Sequence, residues 1–150
     1  MELVAITPAG RPERNVGDIP AAIEQTFDQT RSLYQRTGYA KPWVSYIGVS
    51  GGRAVGLGAF KSAPKGGRVE IAYMTAPEFE NRGFAAAIAR ELVALARRAA
   101  PLIDIRAQTL PEENASVSIL KKLGFEFAGN VQHPEDGPVW EWSLSDWKRS

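Results

Sequence analysis

The feature that most constrains this chain is a change of hydrophobic period between residues 68 and 100. Arg68 to Thr75 reads as a β-strand and is the third member of a meander. Its forerunners, Trp43 to Val49 and Arg53 to Phe60, are rich in β-branched and aromatic residues. Turns at Ser50-Gly51-Gly52 and Lys65-Gly66-Gly67 separate the three. From Gly83 to Ala100 the period becomes helical. Phe84, Ile88, Leu92, Leu95 and Ala99 form one stripe, and Arg90, Glu91, Arg97 and Arg98 form an opposite, solvated face. Three consecutive strands feeding a long amphipathic helix argue against a purely parallel, doubly wound sheet.

The flanks complete the pattern. Glu2 to Thr7 reads as a first strand, followed by a loop crowded with Pro8, Gly10, Pro12, Gly17 and Pro20. Asp18 is the expected N-cap of one helix carrying Ile23, Phe27, Thr30 and Tyr34, with Gly38 as its stop. After Pro101, the alternation of Ile103, Ile105 and Ala107 predicts a fifth strand. Asn114 is the expected cap of a short helix that packs Ile119, Leu120 and Leu123 inward and ends at Gly124. Phe125 to Val131 and Val139 to Leu144 read as the last strands, with Trp140, Trp142 and Leu144 on one face. The order β-α-β-β-β-α-β-α-β-β implies one mixed α/β domain over residues 1–150, without repeat or linker.

Composition narrows the chemistry. The 150 residues include no cysteine and one histidine. Disulfides, thiol nucleophiles, Cys-ligated zinc and multi-histidine metal sites are therefore excluded within the chain, and no metal is expected. Lys plus Arg is 18 and Asp plus Glu is 17, too even a balance for a typical duplex nucleic-acid binder. The start lacks a signal-peptide pattern, and no apolar run approaches the ~20 residues that span a bilayer. The expectation is a soluble cytoplasmic protein with neither membrane nor nucleic-acid partner. His133 lies in a Pro- and Gly-rich turn and reads as a surface residue. Trp43, Tyr46, Trp140 and Trp142 read as sheet and core aromatics.

The segment most suggestive of a ligand runs from Glu70 to Ala87. A strand passes through a short turn into a helix that opens with Gly83 and a run of alanines. Helix N-termini leave amide N–H groups unpaired and positively polarised, so they attract anions. Glycine and alanine let a bulky diphosphate approach the backbone, and Arg82 adds a charged donor. This is no Walker A loop, because no Lys-Ser/Thr follows the glycine, and only one of three dinucleotide-fingerprint glycines is present.

Three motifs occur together in order: Glu70-Ile71-Ala72-Tyr73; Glu80-Asn81-Arg82-Gly83-Phe84-Ala85; and Asn114-Ala115-Ser116 with Leu120-Lys121-Lys122-Leu123-Gly124-Phe125. Over roughly residues 42 to 144 the chain resembles the GNAT superfamily of acyl-CoA-dependent N-acetyltransferases. Its final loop and strand, Pro134 to Trp140, look like the branch near the ribosomal-protein acetyltransferases. The resemblance implies a mixed, mostly antiparallel sheet of about seven strands whose fourth and fifth members splay apart. It also implies an acetyl-CoA cofactor, bound through Glu80, Asn81, Arg82, Gly83, Phe84, Ala85 and Ala86 at the diphosphate. Met74, Thr75 and Asn114 would lie along the pantetheine arm. Glu80 stands where the family has Gln or Arg.

Glu70 matches the position of the catalytic glutamate in many members. Flanked by Val69 and Ile71, it reads either as the base that deprotonates an amine or as a structural glutamate paired with an arginine. Asn114 reads as a cap, a pantetheine ligand or both. Many members carry a tyrosine as general acid where this chain has Leu120, so either Ser116 or a water helps, or the thiolate leaves unaided.

The leading reading is an enzyme that moves acetyl from acetyl-CoA to a primary amine, on a small molecule or a protein N-terminus, by direct attack in a ternary complex. The alternatives are a non-catalytic acyl-CoA sensor on the same fold and a nucleotide-binding protein using the same helix start. Between the first strands the family has two helices. Only one is expected here, leaving the acceptor side open or completed by a second copy in a homodimer.

Overall fold

The computed structural model describes residues 1–145. The strands are β1 (Glu2–Ala5), β2 (Ser45–Ser50), β3 (Arg53–Phe60), β4 (Arg68–Thr75), β5 (Asp104–Thr109), β6 (Glu126–His133) and β7 (Gly137–Leu144). The helices are α1 (Ala21–Glu24), α2 (Phe27–Thr37), α3 (Phe84–Ala99) and α4 (Ala115–Lys122). All seven strands join one sheet in the order β1-β2-β3-β4-β5-β7-β6. Every neighbouring pair is antiparallel except β4–β5, which the α3 crossover makes parallel.

Two glycines explain where α3 lies. Gly56 and Gly58 pair with Thr75 and Tyr73, and paired residues share a face. A Cβ on Gly58 would come within 2.6 Å of Ile88 Cγ2, and one on Gly56 within 2.8 Å of Ile88 Cδ1. Only bare backbone admits the helix at this distance. Ile88, Ala89, Leu92 and Ala96 form its buried row, while Leu95 is partly buried and Ala99 exposed. The seam therefore follows an i, i+4 ridge rather than the wider stripe expected. Arg97 departs from the expected solvated face as well. Its guanidinium donates to the Ile103 and Leu144 carbonyls, the latter at 2.9 Å, tying the end of α3 to β7.

Opposite α3, the other face of the sheet is covered by α2. The buried Tyr34 hydroxyl donates to the Ile6 carbonyl at 2.8 Å and accepts from Ser45 N–H at 3.0 Å, fixing α2 to β1 and β2. Burial raises the pKa of this phenol. The single helix expected from Asp18 is two segments. Pro20, not Asp18, occupies the first N-cap position. At Thr26 the hydroxyl and the amide both turn back to the Ile23 carbonyl, at 2.7 and 3.0 Å. This local bonding competes with helical pairing and separates α1 from α2. Gly38, with φ of 89°, ends α2 as expected.

The final hairpin is longer than the sequence suggests. β6 continues to His133, which pairs with Gly137. His133 Nδ1 accepts from the Glu135 and Asp136 amides at 3.1 Å each, so this side chain closes a turn. Trp140, Trp142 and Leu144 do share a face, and Trp142 Nε1 donates to Thr109 Oγ1 at 3.0 Å.

Candidate functional site: the gap between strands four and five

Pairing between β4 and β5 stops at Ile71↔Ala107, yet β4 continues along β3 to Thr75. The two strands thus separate, as the splayed arrangement requires. Backbone direction within β4 follows from two hydrogen bonds. The Glu70 carbonyl accepts from Lys61 N–H, and Ala76 N–H donates to the Val55 carbonyl, both at 2.9 Å. Even-numbered residues therefore address β3, and alternation turns the backbone groups of Tyr73 and Thr75 toward the gap. Met74, by the same rule, spends its backbone groups on β3. Thr75 Oγ1 is buried and has no hydrogen-bond partner among the described residues. The gap is thus a slot edged by Tyr73 and Thr75 backbone groups that β5 does not take up, and such groups normally demand a partner.

At the open end of the slot, a 3-10 turn (Pro77–Phe79) leads into α3. Asn81 and Gly83 both adopt left-handed backbone, with φ of 64° and 81°. Gly83 is the N-cap of α3, no side chain caps the helix, and nothing lies within 4 Å of a Cβ placed there. Glu80, Asn81, Arg82 and Gly83 are exposed, and Phe84, Ala85 and Ala86 are half-buried in the first turn. Phe84 packs edge-on against Phe79, with centroids 6.1 Å apart. The guanidiniums of Arg53 and Arg82 lie 5.1 and 5.8 Å from the Phe79 ring centroid. The helix start therefore presents free N–H groups next to Arg82, an arrangement for an anion, and Arg53 stacks on the same Phe79 ring as Arg82.

Asn114 caps α4: its Oδ1 accepts from Val117 N–H at 3.0 Å. Ser116 is half-buried in the first turn, and its carbonyl lies 3.5 Å from the Tyr73 hydroxyl. Burial pushes the Tyr73 pKa up to about 12, so the hydroxyl keeps its proton near neutrality. Leu120 is fully buried in the core.

Glu70 occupies the α2 face, not the α3 face. It pairs with Lys61, Nζ to Oε2 at 2.6 Å, and its register partner is Arg106. Arg106 is engaged elsewhere, with Asp104 at 2.9 Å and Glu141 at 3.3 Å. The partner of Glu70 is thus a lysine rather than the arginine considered from sequence. Ser116 meets β4 from the other face, through Tyr73. Among the candidate residues, Thr75 lies on the unpaired end of β4, Glu80 to Ala86 follow it through the 3-10 turn into α3, and Ser116 reaches β4 through Tyr73, across the sheet from Glu70; Asn114 is placed only as the cap of α4. Arg53, Lys61 and Tyr73 were not singled out from sequence. Lys61 was reachable in principle, since it follows β3 and faces Glu70 across the hairpin.

Residues 5–126 match the family model of the acetyltransferase (GNAT) domain. The chain belongs to that family. It is accordingly an acetyl-CoA-dependent N-acetyltransferase. Solved structures agree on the fold. A GNAT-family acetyltransferase from Bacillus anthracis superposes with a TM-score of 0.62 at 21% identity, over 81% of this chain and 76% of that one. RimL, a ribosomal L7/L12 alpha-N-protein acetyltransferase in complex with coenzyme A, gives 0.64 at 17% identity over 83% and 71%. A spermidine N-acetyltransferase chimera from Vibrio cholerae SpeG and hSSAT gives 0.66 at 17% identity over 81% of each chain. No curated protein matches this GNAT chain significantly. Among the described residues, no helix is long and apolar enough to cross a membrane, and no cluster of His, Asp and Glu could hold a metal.

Proposed function

We propose that the β4–β5 slot binds acetyl-CoA and that this GNAT chain transfers the acetyl group directly to a primary amine in a ternary complex. One observation carries this reading: β4 runs on to Thr75 after its last pair with β5, with Tyr73 and Thr75 backbone groups facing the vacated space and a buried Thr75 hydroxyl left without a partner. A pantetheine arm, with its amides, matches those groups as an added strand would. The N–H groups of Gly83 to Ala86 take the diphosphate, with Arg82 and Arg53 adding charge. Asn81 bends the turn toward them, and exposed Glu80 is left without a binding role.

When bound, acetyl-CoA supplies an activated thioester carbonyl and a thiol leaving group. Glu70 accepts a proton from the amine, directly or through a water. Backbone N–H groups of β4 polarise the carbonyl. The protonated Tyr73 hydroxyl and Ser116 border the slot on the other face, where an O–H donor stabilises a departing thiolate. Asn114 holds the start of α4 in place for them. The chain has no cysteine, so no acyl-cysteine forms on it and direct transfer is the simpler route. Lack of cysteine also fits work in a reducing, cytoplasmic setting.

Calorimetry with acetyl-CoA tests the slot: saturable binding is expected, and its absence at high micromolar ligand overturns the reading. For the base, Glu70→Gln should lower kcat by about 100-fold, within the usual range of general-base contributions, and change its pH profile. Acetyl-CoA should still bind. Unchanged kinetics would remove Glu70 from the reaction.

A further inference from the structure

A cavity of about 330 Å³ opens on the α2 face of the sheet. Leu33 of α2, Leu57 and Ala59 of β3 and Ala72 of β4 give it apolar walls, and none of its lining residues is acidic. Ala72 is the first residue of β4 beyond the last β4–β5 pair, so this wall borders the slot. Lys61 is the one cation of the lining, and it contacts Glu70. The contact is an ion pair, Nζ to Oε2 at 2.6 Å. An ion pair therefore sits at the edge of an apolar cavity, with Glu70 one residue before the last β4–β5 pair.

We propose that this cavity is the acceptor site and that the acceptor is a free α-amino acid with an apolar side chain. This rests on the slot being the acetyl-CoA site. The side chain enters the cavity, the α-carboxylate meets Lys61, and the α-amino group donates to Glu70 Oε2 beside the slot. A zwitterion satisfies both members of the ion pair at once. A polyamine would find no carboxylate in the lining and only Glu70 beside it, and a peptide N-terminus has no α-carboxylate to give Lys61. In the transfer a bond forms between the amino nitrogen and the acetyl carbon, and the C–S bond breaks with its electron pair going to sulfur. The ammonium loses two protons in all: one leaves through Glu70 to solvent, and the other ends on the sulfur.

The test is thiol release from acetyl-CoA with L-leucine, L-phenylalanine, L-leucinamide, isoamylamine, spermidine and a leucine-initiated tripeptide, alongside calorimetry of acetyl-CoA. Leucine or phenylalanine should exceed leucinamide and isoamylamine in kcat/KM by at least about tenfold, as loss of one charge-assisted contact predicts. Lys61→Met should shrink the leucine-to-leucinamide ratio to about threefold or less, with the acetyl-CoA Kd unchanged. Ala59→Phe, which fills the cavity, should raise KM for leucine more than for glycine. Equal or better turnover of an amine lacking the carboxylate overturns the proposal. So does acetyl-CoA binding with no transfer to either amino acid. Failure of acetyl-CoA to bind is a separate result, and it sinks the slot reading instead.

Discussion

Two helices begin beside the slot, and they begin in opposite ways. α4 opens on Asn114 in extended backbone, φ −151°, and the Asn114 side chain takes the Val117 amide. α3 opens on Gly83 in left-handed backbone, φ 81°, and no side chain takes its amides. A capping side chain contributes about 1 kcal/mol, so the α3 start forgoes stability that the α4 start collects. Crowding does not explain the glycine, because a Cβ there would meet nothing within 4 Å. Conformation explains it: the chain must turn through positive φ to aim its free amides at open space. The contrast separates a helix end finished by the protein from one finished by a ligand.

The hardest test of that contrast is Gly83→Val. A β-branched residue at positive φ costs about 1–2 kcal/mol or more of stability, and its side chain would project into the space assigned to the diphosphate. Acetyl-CoA affinity should fall by about 100-fold, equivalent to roughly 2.8 kcal/mol, measured by calorimetry on protein still folded by thermal unfolding. Unchanged affinity would mean that the α3 start is simply a poorly capped helix. Smaller effects are expected from the two cations that stack on Phe79. Arg82→Gln and Arg53→Gln should each weaken binding by about three- to tenfold, since exposed charge contacts are worth about 1 kcal/mol or a little more. Both should also flatten the salt dependence of the Kd. If salt dependence survives the double variant, the anion is held by amides alone.

The same contrast explains what the sequence could disclose. Asn114, Gly83 and Gly38 act on backbone within a few residues, so their roles are visible in a local pattern. The three-strand meander and the α3 period are legible for the same reason. Contacts between distant residues are not. Tyr73 reaches Ser116 across 43 positions and Arg97 reaches Leu144 across 47, through strand order rather than spacing. Arg53 arrives beside Phe79 only because β3 and β4 run antiparallel, which places the start of one against the end of the other. The break at Thr26 depends on one hydroxyl choosing the Ile23 carbonyl, a choice that helical periodicity does not record. As for the slot, the resemblance implied it, but the residue at which pairing ends belongs to the register and had to be seen.

The smallest effect is expected at the finished helix end, and it is the one that most sharpens the comparison. Asn114→Ala removes the acceptor for Val117 N–H and should cost about 1 kcal/mol, a drop in Tm of roughly 2–4 °C for a chain of this size. Asn114→Asp keeps an acceptor there and places negative charge at the helix start, so it should hold or slightly raise Tm. If the Asn114 side chain serves α4 alone, both variants keep the acetyl-CoA Kd within about twofold, well inside 1 kcal/mol. A loss on the scale of Gly83→Val in both variants would instead make the α4 start a second ligand-binding terminus. A loss in Asn114→Asp alone, with stability intact, would mean that the added charge is felt by a bound anion, which would place that anion between the two helix starts rather than on α3.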